Sequence, residues 1–211
     1  MFITFEGLDF SGKSTQTKLL VEKLRSLEQQ GGHARVHVLR EPGGTAISEQ
    51  IRRILLDKAS GGLTETAEIL LFSASRTQLV SEVILPALER GEIVVCDRFF
   101  DSTTAYQGYG RGLDLNGVAT INKVATLGLA PDLTLLIDIP VDEIERRKHA
   151  AGLTFDRMEE SGREFYERVR AGYLAIARQE QKRFVVVNGM QPPHAVHLEV
   201  WKAVERTMAT T

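Results

Sequence analysis

Hydrophobic positions along the chain alternate between two periods. Phe2-Ile3-Thr4-Phe5 is a short β-branched and aromatic run, and Thr15 to Leu27 follows with apolar residues at Leu19, Leu20, Leu24 and Leu27, the spacing of one helix face. The pattern then repeats. Gly31-Gly32 stops the first helix, Arg35 to Leu39 reads as a second strand, and Thr45 can cap a helix that carries Ile47, Ile51, Ile54 and Leu55 on one face and ends by Gly61-Gly62. Thr64 to Arg90 reads as one long helix broken near its end by Pro86, apolar over an arc wide enough for burial on more than one side. Glu92 to Cys96 is a third strand that stops at Asp97-Arg98, and a polar and aromatic stretch runs on to Gly112. A helix over Asn116–Leu127, a strand over Leu133–Ile139, a charged segment from Asp142 to Arg157, an amphipathic helix reaching about Gln181, a strand over Phe184–Val187 and a helix from about His194 to Met208 complete the order.

This β-α alternation predicts one α/β domain over residues 1–211, built on a five-stranded parallel sheet with helices on both faces. Leu133–Ile139 is apolar on both of its faces, which suits the middle of such a sheet. Ligands of open parallel sheets bind at the strands' carboxyl ends, so the residues that end each strand are the candidates for chemistry.

The first strand ends in Gly7-Leu8-Asp9-Phe10-Ser11-Gly12-Lys13-Ser14, which satisfies G-x-x-x-x-G-K-[ST] with a strand before it and a helix after it. Glycines free the backbone N–H groups to turn toward an anion, the helix N-terminus adds its positive end, and Lys13 can reach the β/γ-phosphates of a nucleoside triphosphate. Gly7, Asp9, Phe10, Ser11, Gly12, Lys13, Ser14 and Thr15 are therefore the expected cofactor-binding residues. The Ser14 hydroxyl is the expected Mg²⁺ ligand, joined by Asp97, a carboxylate at the end of an apolar strand, where P-loop proteins hold the metal or its waters. Turn or cap roles are the structural alternative for Asp97, and a plain tight turn is the alternative for the two glycines.

Composition narrows the class of ligand. A net charge of −2 over 211 residues, with both signs interspersed, gives no global attraction for nucleic acid or anionic membrane, so phosphate recognition must be local and the ligand small. Hydrophobic residues make up 43%, enough for one core, and no apolar run approaches spanning length. The single cysteine, Cys96, sits in an apolar strand and reads as a buried small hydrophobe, and the N-terminus lacks a signal-peptide pattern, so a soluble cytoplasmic protein is expected. His33/His37 and His194/His197 have helical spacing but no cysteine or acidic cluster to complete a metal site, and are read as surface histidines.

The stretch Val95-Cys96-Asp97-Arg98-Phe99-Phe100-Asp101-Ser102-Thr103-Thr104-Ala105-Tyr106-Gln107 resembles the signature of thymidylate kinases, which phosphorylate dTMP with ATP. Arg40-Glu41-Pro42-Gly43-Gly44-Thr45, Glu49-Gln50-Ile51-Arg52, Leu71 to Arg76, Pro131 to Thr134 and Asp156-Arg157-Met158-Glu159 follow in family order. The resemblance implies that Phe72 stacks on thymine, that Arg76 hydrogen-bonds a base carbonyl, and that Arg98 and Arg52 grip the acceptor phosphate. It also implies that Thr103 and Gln107 read the polar edge of the base, that Tyr106 lies against the deoxyribose, and that Asp9 contacts the sugar 3′-hydroxyl and orients the phosphate-binding arginine. Glu41, Pro42 and Ser102 complete the implied acceptor site, with a cis peptide before Pro42.

Thymidylate kinases carry a catalytic arginine either in the P-loop or in a lid. Phe10 and Ser11 occupy the P-loop positions here, so the resemblance sends that charge to a lid over residues 142–157, with Arg146 and Arg147 as the catalytic candidates, Arg146 also expected to bind the cofactor ATP, and Lys148 and Arg157 behind them. The family further implies ATP and Mg²⁺ as cofactors and a homodimer formed through the apolar helices around Thr64 to Arg90. Another nucleoside monophosphate kinase, a P-loop switch and a non-catalytic nucleotide-binding subunit are the competing readings. A switch should carry a base-reading N-K-x-D, and Asn122-Lys123-Val124-Ala125 only begins like one.

Overall fold

A computed structural model describes residues 1–29, 35–151 and 162–209. Strands Phe2–Glu6 (β1), Val36–Arg40 (β2), Ile93–Asp97 (β3), Leu133–Asp138 (β4) and Phe184–Asn188 (β5) pair in parallel in the order β2-β3-β1-β4-β5. Helices Lys13–Gln29 (α1), Ala46–Leu56 (α2), Glu65–Leu79 (α3), Leu85–Glu89 (α4), Phe100–Thr103 (α5), Leu115–Ala125 (α6), Val141–Ala151 (α7), Arg163–Gln179 (α8) and Pro193–Met208 (α9) connect and cover them. Every residue of β1 is buried, as its central place requires.

Strand alternation divides the core. Ile3, Phe5, Val95, Leu135 and Ile137 meet Leu20 and Leu24 of α1 and Val200 and Val204 of α9 on one face. On the other, Phe2, Val94, Cys96 and Phe99 pack with Leu79 and Ile84, and Leu136 and Ile139 pack with Phe165, Val169 and Tyr173 of α8. Each fully buried side chain of this size contributes about 1.5–3 kcal/mol. No helix among the described residues is long and apolar enough to cross a membrane.

Register assembles the site. Phe5 lies opposite Asp97, and Arg40 is paired with Asp97 from the other side. The ladder continues past the strands, since Arg98 N–H donates to Phe5 O at 2.9 Å and Glu41 N–H donates to Asp97 O at 2.9 Å. Residues after β1, β2 and β3 are thereby brought to one edge.

Several elements depart from their periodicity. The Thr64–Arg90 segment is not one α-helix: a π-helical turn over Val80–Ile84 separates α3 from α4. Pro86 explains it, because proline has no N–H to donate and its ring would meet a carbonyl four residues back, so the turn before it widens. The polar and aromatic stretch after Arg98 is helical, with α5 continuing as wide π turns over Thr104–Gly110. In α2 the Thr45 cap forms, its Oγ1 accepting Ser48 N–H at 3.1 Å, yet of the apolar face only Leu55 is fully buried, while Ile47 and Ile54 stay about half exposed. His37 is half-buried rather than on the surface, its Nε2 2.6 Å from Glu92 Oε2, and His33 lies outside the described residues.

Candidate active site

The loop from Gly7 to Ser14 has the backbone that a phosphate cradle needs. Gly7 has φ +137°, and a Cβ there would stand 2.4 Å from Ile137 O, so no larger residue fits. Gly12 has φ +99° with open space where a Cβ would project, and Phe10 is left-handed at φ 60°. Lys13 is buried, and its Nζ donates to Leu8 O at 2.7 Å and Gly7 O at 3.1 Å. Burial, with the Arg98 charge beside it, pushes Lys13 down to about 8 against the pull of Asp97, Asp9 and Glu6. A polyanion would supply the missing counter-charge.

Ser14 Oγ donates to Asp97 Oδ2 at 3.1 Å. A hydroxyl and a carboxylate side by side at the P-loop are hard oxygen donors, the set from which Mg²⁺ takes one or two protein ligands, with phosphates and water completing an octahedron. The donor set therefore suits that ion, although no cluster of three or more His, Cys, Asp or Glu stands ready as a self-sufficient metal site among the described residues.

A cavity of about 560 Å³ opens beside the loop. Asp9 to Thr15 line one wall, and Glu41, Pro42, Arg52, Phe72, Arg76, Asp97, Arg98, Ser102, Thr103, Tyr106 and Gln107 line the rest. All the residues expected on the acceptor side thus face one space, although they come from four separate stretches of chain. The Glu41–Pro42 peptide is cis.

Arg98 and Asp9 form its electrostatic centre. Arg98 has φ +72°, a conformation costing an L-residue about 1–2 kcal/mol. Its Nη2 donates to Asp9 Oδ1 at 2.5 Å and to Tyr106 OH at 3.2 Å, and its Nη1 to Gly7 O at 3.0 Å. Burial alone would raise the Asp9 carboxyl, but the Arg98 and Lys13 charges and hydrogen bonds from Tyr106 and Arg98 outweigh it and hold it below the usual range. The Tyr106 and Tyr166 hydroxyls, 3.1 and 3.3 Å from Asp9 Oδ2, are pushed up by burial, so both stay protonated donors.

The residues expected to read the base are held by buried polar contacts. Arg76 is 1% exposed and ion-paired with Glu41 at 2.7 Å; it donates to Thr103 Oγ1 at 3.0 Å and Phe99 O at 3.2 Å. Burial raises Glu41 against the pull of Arg76. Gln107 Nε2 donates to the buried Glu68 at 2.9 Å, which fixes its amide with the nitrogen toward that carboxylate. Arg52 Nη1 donates to Pro42 O at 2.7 Å.

The two arginines expected in a lid, both on α7, separate. Arg147 reaches the P-loop, its Nη1 donating to Phe10 O at 3.1 Å and Ser11 O at 3.2 Å and its Nη2 to Gly189 O at 2.8 Å. Arg146 does not line the cavity: it is 70% exposed and ion-paired with Glu143 at 2.8 Å. Neighbours on a helix are about 100° apart, so one of two adjacent arginines must face away. Arg157 and Asp156 to Glu159 lie outside the described residues, as does the Lys148 side chain.

Sequence reasoning passed over Glu6, Glu68, Tyr166 and Tyr173. Glu6 had a signal, a lone carboxylate ending an otherwise uncharged strand next to the P-loop; the others sit on helices where their spacing reads as ordinary amphipathic face.

Comparison with known proteins agrees with this geometry. The thymidylate kinase family model matches residues 5–200. A thymidylate kinase of Pelodictyon phaeoclathratiforme is 50% identical over 205 residues, covering 93% of this chain and 92% of the relative, and one of Chlorobaculum tepidum is 44% identical with both chains fully covered. The crystal structure of thymidylate kinase from Ehrlichia chaffeensis superposes with a TM-score of 0.78 at 38% identity, over 97% of this chain and 98% of that one. With the P-loop, the parallel sheet and the Asp9–Arg98 cavity all in place, the chain belongs to the thymidylate kinase family.

Proposed function

We propose that this chain transfers the γ-phosphoryl group of ATP to dTMP, giving ADP and dTDP. The observation that carries the proposal is the Arg98–Asp9 pair at 2.5 Å, in a cavity lined by the P-loop and also by Phe72, Arg76, Thr103 and Gln107. A P-loop alone serves a triphosphate; the further lining suits a nucleoside monophosphate with its phosphate toward Lys13.

Such a reaction needs no general base. The acceptor phosphate has a second pKa of about 6 and is largely dianionic at neutral pH. The protein's task is to bring two anions into line and neutralise the charge that develops. Lys13 releases the Gly7 and Leu8 carbonyls for phosphate oxygens, Arg98 and Arg52 hold the acceptor phosphate, and Arg147 is placed beside the P-loop to meet the transferring group. Ser14 and Asp97 would hold Mg²⁺, which would supply neutralisation of triphosphate charge. A hollow of about 200 Å³ beyond Arg147, lined by Gln16, Gly189, Gln191 and Pro193, suits the purine of ATP.

The half-exposed Ile47 and Ile54 on α2 and Leu70 on α3, helices that pack against each other, with Val124 70% exposed on neighbouring α6, support a homodimer. An apolar face on the same helices suits a second copy. We place the enzyme in the cytoplasm as one domain over residues 1–211. Chromatographic separation of the products from ATP, Mg²⁺ and dTMP tests the reaction: dTDP and ADP in equal amounts support it, and ADP without dTDP refutes it.

A further inference from the structure

Glu6, the last residue of β1, has no part in the chemistry above, yet it is a wholly buried carboxylate at the carboxyl end of the central strand. Both of its oxygens serve the surroundings of Arg98. Oε1 accepts the N–H of Phe99 at 2.8 Å, the peptide directly after the left-handed Arg98. Oε2 accepts Ser102 Oγ at 2.6 Å and Tyr173 OH at 2.8 Å. Those two hydroxyls in turn receive Arg98 Nη1, each at 3.2 Å.

A hydroxyl carries one proton. Drawn toward an ionised Glu6, which can only accept, it leaves the oxygen lone pairs to face the guanidinium. An ionised Glu6 therefore biases the polarity of the network from Arg98 through Ser102 and Tyr173, whose two hydroxyl oxygens also lie 2.8 Å apart, within hydrogen-bond distance of each other. Asp9 holds the other terminal nitrogen, and Arg98 Nε is left without a hydrogen-bond partner among the described residues.

We propose that Glu6 is the positioning residue for Arg98, fixing its backbone turn through Phe99 and one edge of its guanidinium through Ser102 and Tyr173, so that Arg98 meets the acceptor phosphate in one orientation. The inference rests on Arg98 being the grip on that phosphate. Burial and the nearby Asp101 of α5 push Glu6 up to about 7, opposed by Arg98 and the hydrogen bonds from Ser102 and Phe99; Lys13 of α1, Cys96 of β3 and Tyr173 of α8 also face it. Glu6 thus gains its proton as pH falls through neutrality, and a protonated carboxyl becomes a donor toward hydroxyls that should point at it.

Steady-state kinetics of Glu6→Gln, with Arg98→Ala measured alongside, test this between pH 6 and 9. The expected result is a KM for dTMP raised on the order of tenfold at pH 8, as the loss of a charge-assisted contact gives, with the KM for ATP unchanged within about twofold. On acidification below pH 7 the parent's KM for dTMP should rise more steeply than the variant's, since ionisation of the substrate phosphate is common to both. Tyr173→Phe, which keeps Glu6 and removes one hydroxyl, should raise the KM for dTMP by about threefold; it decides the matter if Glu6→Gln does not fold. Equal rises in both KM values, or a KM for dTMP unmoved while Arg98→Ala raises it, would overturn the proposal. If Arg98→Ala also leaves that KM unmoved, the phosphate-grip reading itself falls.

Discussion

Replacing Asp9 by asparagine removes one negative charge from a site built to receive anions, and the two substrates should feel the change differently. In the parent, the carboxylate takes Arg98 Nη2 at 2.5 Å and the hydroxyls of Tyr106 and Tyr166 at 3.1 and 3.3 Å. The Asp9 and Arg98 side chains are 21% and 17% exposed, so solvent screens the pair only in part. A hydrogen bond to a charged group in such a place is worth about 1.5–3 kcal/mol. If that orientation of Arg98 is used for the acceptor phosphate, the loss appears as a fall of roughly 10- to 150-fold in kcat/KM for dTMP. ATP should respond in the opposite sense, its KM unchanged or lower, because one like charge has left the neighbourhood of the triphosphate. The Asp9 carboxyl lies below its usual range, so its charge is lost only as pH falls through that depressed value, and its own titration contributes no pH dependence between pH 6 and 9. Initial-rate measurements varying each substrate in turn give both constants. A raised KM for ATP with an unchanged kcat/KM for dTMP would refute the reasoning and put Asp9 on the donor side.

Arg147→Ala should lower kcat on the order of a hundredfold or more while Arg146→Ala changes it less than about threefold, measured at saturating substrates; a large effect at Arg146 and none at Arg147 would contradict the placement of α7. Arg76→Ala leaves Glu41 buried without its partner and should cost about 3–5 kcal/mol in a urea or thermal melt, far more than a surface arginine. Leu70→Glu should leave the fold intact and convert a dimer to a monomer in light scattering, and a parent that is already monomeric would remove the basis for the proposed interface.

The sheet was legible because each strand is a short apolar run bounded by glycine or charge, and because a parallel sheet puts all strand ends at one edge. The P-loop was legible for the same reason: φ +137° at Gly7, with a carbonyl 2.4 Å from where a Cβ would be, leaves glycine no substitute. What the pattern hid is what depends on packing between distant elements. Arg146 and Arg147 are equivalent in sequence, and only the seating of α7 against Phe10 and Gly189 tells them apart. Gln107 and Glu68 lie 39 positions apart, yet that contact fixes the amide's orientation. Glu6 could be seen as an oddity in its strand, but its link to Arg98 runs through Ser102 and a tyrosine 167 residues away. The apolar face of α2 was legible as a pattern, but its half-exposed Ile47 and Ile54 were not, since periodicity does not say which partner covers a face.

The central claim is that the cavity behind Arg98 accepts thymidine monophosphate. Its most direct test is kcat/KM for dTMP, dUMP, dCMP, AMP and GMP in a coupled ADP-release assay with ATP and Mg²⁺. Turnover of dTMP should run ahead of every other monophosphate, with the purine nucleotides rejected by a pocket bounded by Phe72, Arg76 and Gln107. Equal or better turnover of AMP, GMP or dCMP would contradict it.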